Sequence, residues 1–186
     1  MKSQSELTEL FERGILLVRR ARRWKGGDTR MSIRLVKIEL EDAETIWKMQ
    51  VKAFQDLLDK YQDFETNPAA EPVEKTRMRL KQPFTFFYYI KDGDNIVGAV
   101  RVVDKKEVGK AKRISPIFIM KEYRGYGYAQ EAIKQVEEIH GCGNWELDTI
   151  FQEKGNCYLY EKMGYQAIGK IEKINENMSL ICCKKR

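Results

Sequence analysis

Three β-rich runs in close succession, "FTFFYYI", "NIVGAVRVV" and "AKRISPIFIM", constrain this chain more than any other feature. Val, Ile, Phe and Tyr suit a pleated surface, and the linkers "KDGD" and "KKEVGK" are short and polar. Gly93 in the first linker can adopt the positive φ of a tight hairpin turn. The runs are therefore expected to return on one another as an antiparallel meander.

The rest of the chain frames that meander. "MSIRLVKIEL" reads as a strand, and the acidic "EDAET" after it suits a helix N-terminus. Ile46, Trp47, Gln50, Phe54, Leu57, Leu58 and Tyr61 then follow helical spacing. The turn "ETNPAAEP" interrupts, and a shorter helix is predicted from Val73 to Lys81. Beyond the meander a helix carries Ala129, Ala132, Ile133, Val136 and Ile139 on one face. "NWELDTIF" reads as a strand, "NCYLYEKM" as a short helix, and "YQAIGKIEK" and "MSLICCKK" as a closing strand pair. The order β, α, α, three β, α, β, α, β, β predicts a mixed α+β sheet with helices on its faces.

Composition narrows the function. With 186 residues, one domain with a sizeable core is expected, and no uncharged apolar run is long enough to span a membrane. The net charge of +6 is uneven: residues 1–30 carry a surplus of four positive charges, so the remainder is nearly balanced and lacks the basic excess of a duplex-binding domain. That first segment, with "RRARRWK" and the breaker "GGD", reads as an accessory helix outside the main domain, which begins at Met31, the expected natural start. Cys142, Cys157, Cys182 and Cys183 form no C-x-x-C pair and His140 is the only histidine, which argues against a zinc site and for reduced, cytosolic thiols.

The segment "KEYRGYGYAQEAIKQVEEIH" carries the chemistry. Gly125 and Gly127 stand where a strand gives way to a helix, and such a junction exposes main-chain N–H groups that no helical carbonyl can satisfy. The helix dipole adds partial positive charge, glycine lets the amides approach a diphosphate closely, and Arg124 adds a full charge. A glycine turn that merely caps a helix would look the same in isolation.

Two signatures resolve that ambiguity. "RGYGYA" matches the R/Q-x-x-G-x-G/A pattern of the GNAT superfamily of N-acetyltransferases through Arg124, Gly127 and Ala129, and "NCYLYEKMGY" resembles that family's second signature. The element order from Met31 to the C-terminus is similar as well. The resemblance implies a central mixed, mostly antiparallel sheet of about six or seven strands flanked by about four helices. It also implies acetyl-coenzyme A as co-substrate: Ile117, Phe118 and Ile119 would pair with the pantetheine arm, and the amides of Gly125, Tyr126, Gly127, Tyr128 and Ala129 would hold the pyrophosphate. Asn156 would contact the pantetheine and Tyr160 would serve as general acid at the sulfur. The implied partner is a small-molecule or peptide amine, without nucleic acid or membrane; a homodimer is left open.

Amine acetylation sets its own demands. An alkylamine of pKa about 10.4 is neutral in about one molecule per 2,500 at pH 7, a penalty of about 4.6 kcal/mol, so a base should help. "RISPIFIM" offers no carboxylate, and Glu146, Asp148 and Glu153 read better as solvated or structural groups. His140 falls at a helix end and Cys157 has no base partner, so neither is assigned a catalytic part. The acceptor is expected to be framed by Phe54 to Arg79 and by the closing hairpin, and in the first of these Tyr61, Phe64, Glu65 and Glu71 are candidates to line a slot for a cationic amine. Two other readings compete: a non-catalytic acyl-coenzyme A sensor, and a dinucleotide-binding module whose third glycine would have to be Gln130.

Overall fold

Hairpin chemistry and helical periodicity both find their elements in the computed structural model, which describes residues 33–186; the accessory helix expected over residues 1–30 lies outside the described residues. The elements are β1 (Ile33–Lys37), α1 (Ala43–Tyr61), α2 (Val73–Leu80), β2 (Thr85–Asp92), β3 (Asn95–Val103), β4 (Lys112–Ile119), α3 (Tyr128–His140), β5 (Trp145–Ile150), α4 (Lys154–Lys162), β6 (Gln166–Lys173) and β7 (Ser179–Lys185). Among the described residues, seven strands and four helices make a mixed, mostly antiparallel α+β fold. The chain divides into two compact units, one ending at Trp145 and one running from Glu146 to Lys185.

In the first unit β1, β2, β3 and β4 lie side by side in that order, each antiparallel to the next. Asp92 pairs with Asn95, leaving Gly93 and Asp94 as a two-residue turn in which Gly93 takes φ 55°. Residues 85–90 of β2 are almost all buried, the mark of a strand covered on both faces. One face packs Phe87, Tyr89, Ala99 and Phe118 against Ile46 and Ala53 of α1. α3 closes against β1, β3 and β4, burying Ala132, Ile133 and Val136. Burying an aliphatic side chain such as Ile46 or Ile133 contributes about 2 kcal/mol. α1 stops where Gln62 turns left-handed at φ 53° and returns its N–H to the Leu58 carbonyl.

In the second unit β5, β7 and β6 follow in that order. β6 and β7 pair antiparallel, with an irregularity between Ala167 and Ile171 where Gly169 takes φ 75°. α4 begins two residues ahead of its predicted start, at Lys154. All four cysteines are free, and no helix among the described residues is long and apolar enough to cross a membrane.

His140 does more than end a helix. Its ring is buried, with Nδ1 3.0 Å from Asp104 Oδ2 and Nε2 3.0 Å from the Tyr88 hydroxyl. Burial works against the charge of Asp104, but hydrogen bonds from Lys106 and His140 outweigh it and keep the carboxyl below its usual range. The carboxylate therefore accepts from Nδ1–H, and Nε2 accepts from Tyr88, whose own pKa burial and Asp104 push up. Burial is also the largest influence on the imidazole, holding it below 6.5 with help from Lys106 and Lys112 despite the pull of Asp104.

In the unfolded chain this ring gains a proton below about pH 6.5, whereas the folded ring resists; the unfolded state then binds more protons and stability declines. Thermal unfolding followed from about pH 7.5 to about pH 5 should show a falling Tm, and His140→Gln should flatten that fall. An unchanged slope in the variant would place the titration elsewhere.

Candidate active site

The course of β4 is set by its contact with β3. Ile119 pairs with Gly98, Phe118 with Ala99 and Ile117 with Val100, after which the register slips and Val102 meets Ile114. Ser115 and Pro116 thus stand opposite Arg101 alone, a β-bulge of the kind that re-aims strands beside functional sites. At Gly98 a Cβ would lie 2.2 Å from the Phe118 carbonyl oxygen, so only glycine lets the main chain of β4 come this near. Of the three residues the resemblance assigns to the pantetheine, Phe118 is buried and Ile117 and Ile119 are half-buried.

Beyond β4 a 3-10 turn over Lys121–Tyr123 leads into the glycine segment. Gly125 takes φ 91° and Gly127 takes φ 88°, a conformation costly for a residue with a Cβ, and α3 begins at the next residue. The first main-chain donations into the helix come from Gln130 and Glu131, both to the Gly127 carbonyl. Among the described residues none of the N–H groups of Gly125, Tyr126, Gly127, Tyr128 or Ala129 donates a hydrogen bond. Five donors at the positive end of a helix dipole are what an anion needs.

The side chains of this segment hold its shape. Arg124 donates Nε to the Ile119 carbonyl and Nη2 to the Ala53 carbonyl, each at 3.0 Å, fastening the turn to α1 instead of extending into the space before the amides. Tyr128 donates its hydroxyl to Asp92 at 2.5 Å, and that bond, with burial, pushes its pKa up to about 12. Tyr126 is exposed.

In the second unit Glu153 precedes α4 and accepts the N–H groups of Asn156 and Cys157 at 3.0 and 3.1 Å. Asn156 is exposed and Cys157 is 1% exposed, its thiol pushed up mainly by burial. Tyr160 is buried beside Tyr165, and burial together with Cys183 and Cys157 raises its pKa strongly, so its hydroxyl holds its proton. Glu146 and Asp148 share the less buried face of β5, and Glu146 pairs with Lys184 at 3.4 Å. This ion pair suits a structural carboxylate better than a base.

The acceptor region departs from its expectation. Glu71, a candidate to face a cationic amine, is buried; Arg79 reaches its two oxygens at 2.5 and 2.8 Å and Lys75 lies at 2.8 Å. Burial opposes its charge, but these two partners win and keep its pKa low. Tyr61 is core, while Phe64 is 65% exposed. Sequence reasoning missed Arg101, whose side chain faces a narrow slot with Gln50, Phe87, Pro116 and Phe118. Its only signal was an arginine inside an otherwise apolar strand.

The description of the acetyltransferase (GNAT) family matches residues 51–165, which include the glycine turn and "LYEKMGY". The chain belongs to this family. Among solved structures, the GNAT domain is similar to spermidine N-acetyltransferase from Vibrio cholerae in complex with CoA and spermine, at 17% identity and TM-score 0.65 over 82% of this chain and 94% of that one. It is similar to the microcin C7 self-immunity acetyltransferase MccE in complex with acetyl-CoA and AMP, at 15% identity and TM-score 0.62 over 82% and 91%. A third likeness is to the Salmonella typhimurium acetyl transferase that modifies the N-terminal serine of 50S ribosomal subunit protein L7/L12, at 10% identity and TM-score 0.63 over 83% and 94%. A comparison with curated proteins finds no match.

Gly98→Ala should force the GNAT domain to move the Phe118 main chain, lowering stability by about 1 to 3 kcal/mol as overpacked sites do. Urea unfolding checks this, and full stability in the variant would show that the two strands separate at little cost.

Proposed function

We propose that this chain transfers the acetyl group of acetyl-CoA directly to a primary amine of a small molecule or peptide. The observation that carries this reading is the row of unengaged amides from Gly125 to Ala129 at the mouth of α3. Two linked phosphates fit such a row by charge and by the absence of any Cβ at Gly125 and Gly127. The complexes with acetyl-CoA and CoA among the similar structures support the same ligand. Residues 31–186 would form the acetyltransferase domain, and the free thiols suit the reducing cytosol.

In this mechanism the main chain of Ile117, Phe118 and Ile119 pairs with the pantetheine, and an N–H near Phe118 or Ile119 donates to the oxyanion. Asn156 contacts the pantetheine arm. The neutral amine attacks the thioester carbonyl carbon, its nitrogen releases a proton to water, and the tetrahedral intermediate collapses to the amide with cleavage of the C–S bond. Tyr160 gives its proton to the departing thiolate and recovers one from solvent. Its buried hydroxyl is neutral, the form a donor requires. Arg124 contributes positive charge while its hydrogen bonds brace the turn. No residue is assigned as the base.

Tyr160→Phe should lower turnover by about 100-fold or more with acetyl-CoA affinity nearly intact, as measured by thiol release and calorimetry. Unchanged turnover would remove Tyr160 from the mechanism. Gly127→Val should abolish acetyl-CoA binding by closing the cradle and forcing a branched side chain to positive φ; normal affinity would contradict the cradle.

A further inference from the structure

A guanidinium without a carboxylate stands beside the proposed acyl site. Arg101 lies on β3 opposite the bulge at Ser115 and Pro116, and donates Nε to the Ser115 carbonyl. Its guanidinium carbon is 5.9 Å from the centre of the Phe87 ring. It borders a crevice lined by Ile46, Gln50, Phe87, Pro116 and Phe118 that is too narrow in this conformation to admit a water molecule. Phe118 thus belongs both to the crevice and to the stretch of β4 proposed to flank the thioester.

Neighbouring charge compensates Arg101 only in part: Glu71 attracts it without pairing with it. The carboxylate close by, Glu71, is engaged by Arg79 and Lys75, with Gln50 Nε2 at 3.4 Å, and among the described residues Arg101 has no ion-pair partner. Burial, with Arg79 and Arg113 nearby, pushes its pKa down to about 10, which still leaves it charged at neutral pH. A half-buried cation without an ion-pair partner is under-compensated, and an anionic ligand at this point would supply the missing charge. With Nε committed, the Nη1 and Nη2 groups retain N–H donors, a pair that matches the two oxygens of a carboxylate. A polyamine would instead meet Arg101 and Arg79 as like charges.

We infer that the acceptor is an amine bearing a carboxylate, which Arg101 holds at the mouth of this crevice, so that Arg101 is a specificity-determining residue. This deepens the proposed acetyl transfer and rests on it. Recognition by the fork orients the acceptor so that its amine, a few bonds from the carboxylate, points toward the acyl carbon flanked by Phe118. Losing a charge-assisted pair of this kind changes affinity by about 10- to 100-fold.

The test measures thiol release from acetyl-CoA with matched acceptors: amino acids, their carboxamides, the corresponding decarboxylated amines, and spermidine. The carboxylated members should lead their partners by about 10-fold or more in kcat/KM. Arg101→Gln should erase that lead through KM without lowering the rates of the carboxylate-free acceptors, and Arg101→Lys, which keeps the charge without the fork, should retain part of it. Equal loss for every acceptor would make Arg101 a structural strut and overturn the inference, as would preference for spermidine or the decarboxylated amines. If the variants fail to fold, the ranking of acceptors by the unaltered protein decides alone. Acetyl-CoA binding by calorimetry separates the two levels: binding with no carboxylated amine turned over sinks the substrate class only, whereas absence of binding removes the proposed transfer and this inference together.

Discussion

At Gly98 the main chains of β3 and β4 come so close that one methyl group would stand 2.2 Å from the Phe118 carbonyl oxygen. Much of the first unit's functional geometry follows from that contact. It fixes how far Phe118 and Ile119 sit from α1, whose Ile46 and Ala53 pack against the same layer. It also sets where the chain leaves the sheet to enter the glycine turn, because Met120 still donates to the Val97 carbonyl at 2.9 Å before the 3-10 turn begins. The bulge a few residues earlier absorbs the extra length of β4 and leaves Arg101 facing two residues at once.

Local pattern made much of this architecture readable in advance. Gly93 forced a tight hairpin, the spacing from Ile46 to Tyr61 defined α1, and the period of Ala132, Ile133 and Val136 defined the buried face of α3. The glycine turn was legible because its physics is local: positive φ at Gly125 and Gly127 together with the start of a helix leaves amides without partners, whatever the rest of the chain does.

What escaped sequence reasoning depends in part on residues far apart in the chain, such as Asp104, which meets His140 across 36 positions. Glu71 is claimed by nearer partners, Lys75 and Arg79 of α2, through a loop-to-helix geometry that spacing alone does not give. A glutamate in a polar loop reads as a partner for a cation, and so it is, but the cations are the protein's own Arg79 and Lys75. Arg101 looked like an interruption in a hydrophobic strand. Its meaning emerges from the bulge and from the saturation of Glu71, neither of which leaves a trace in spacing. The charge left over around Glu71 is therefore positive, opposite to that expected from the glutamate alone.

α3 is fastened unevenly. At its C-terminal end His140 is gripped by Asp104 and Tyr88, and the Trp145 indole donates to the Gly141 carbonyl at 2.8 Å. At the other end the amides hold nothing. The tip is braced only through side chains, Arg124 on α1 and Tyr128 on Asp92, and an anion seated there would engage the main chain as well. Amide hydrogen exchange along α3 would then slow most in its first turn when that seat is filled, turning a gradient of protection into a plateau.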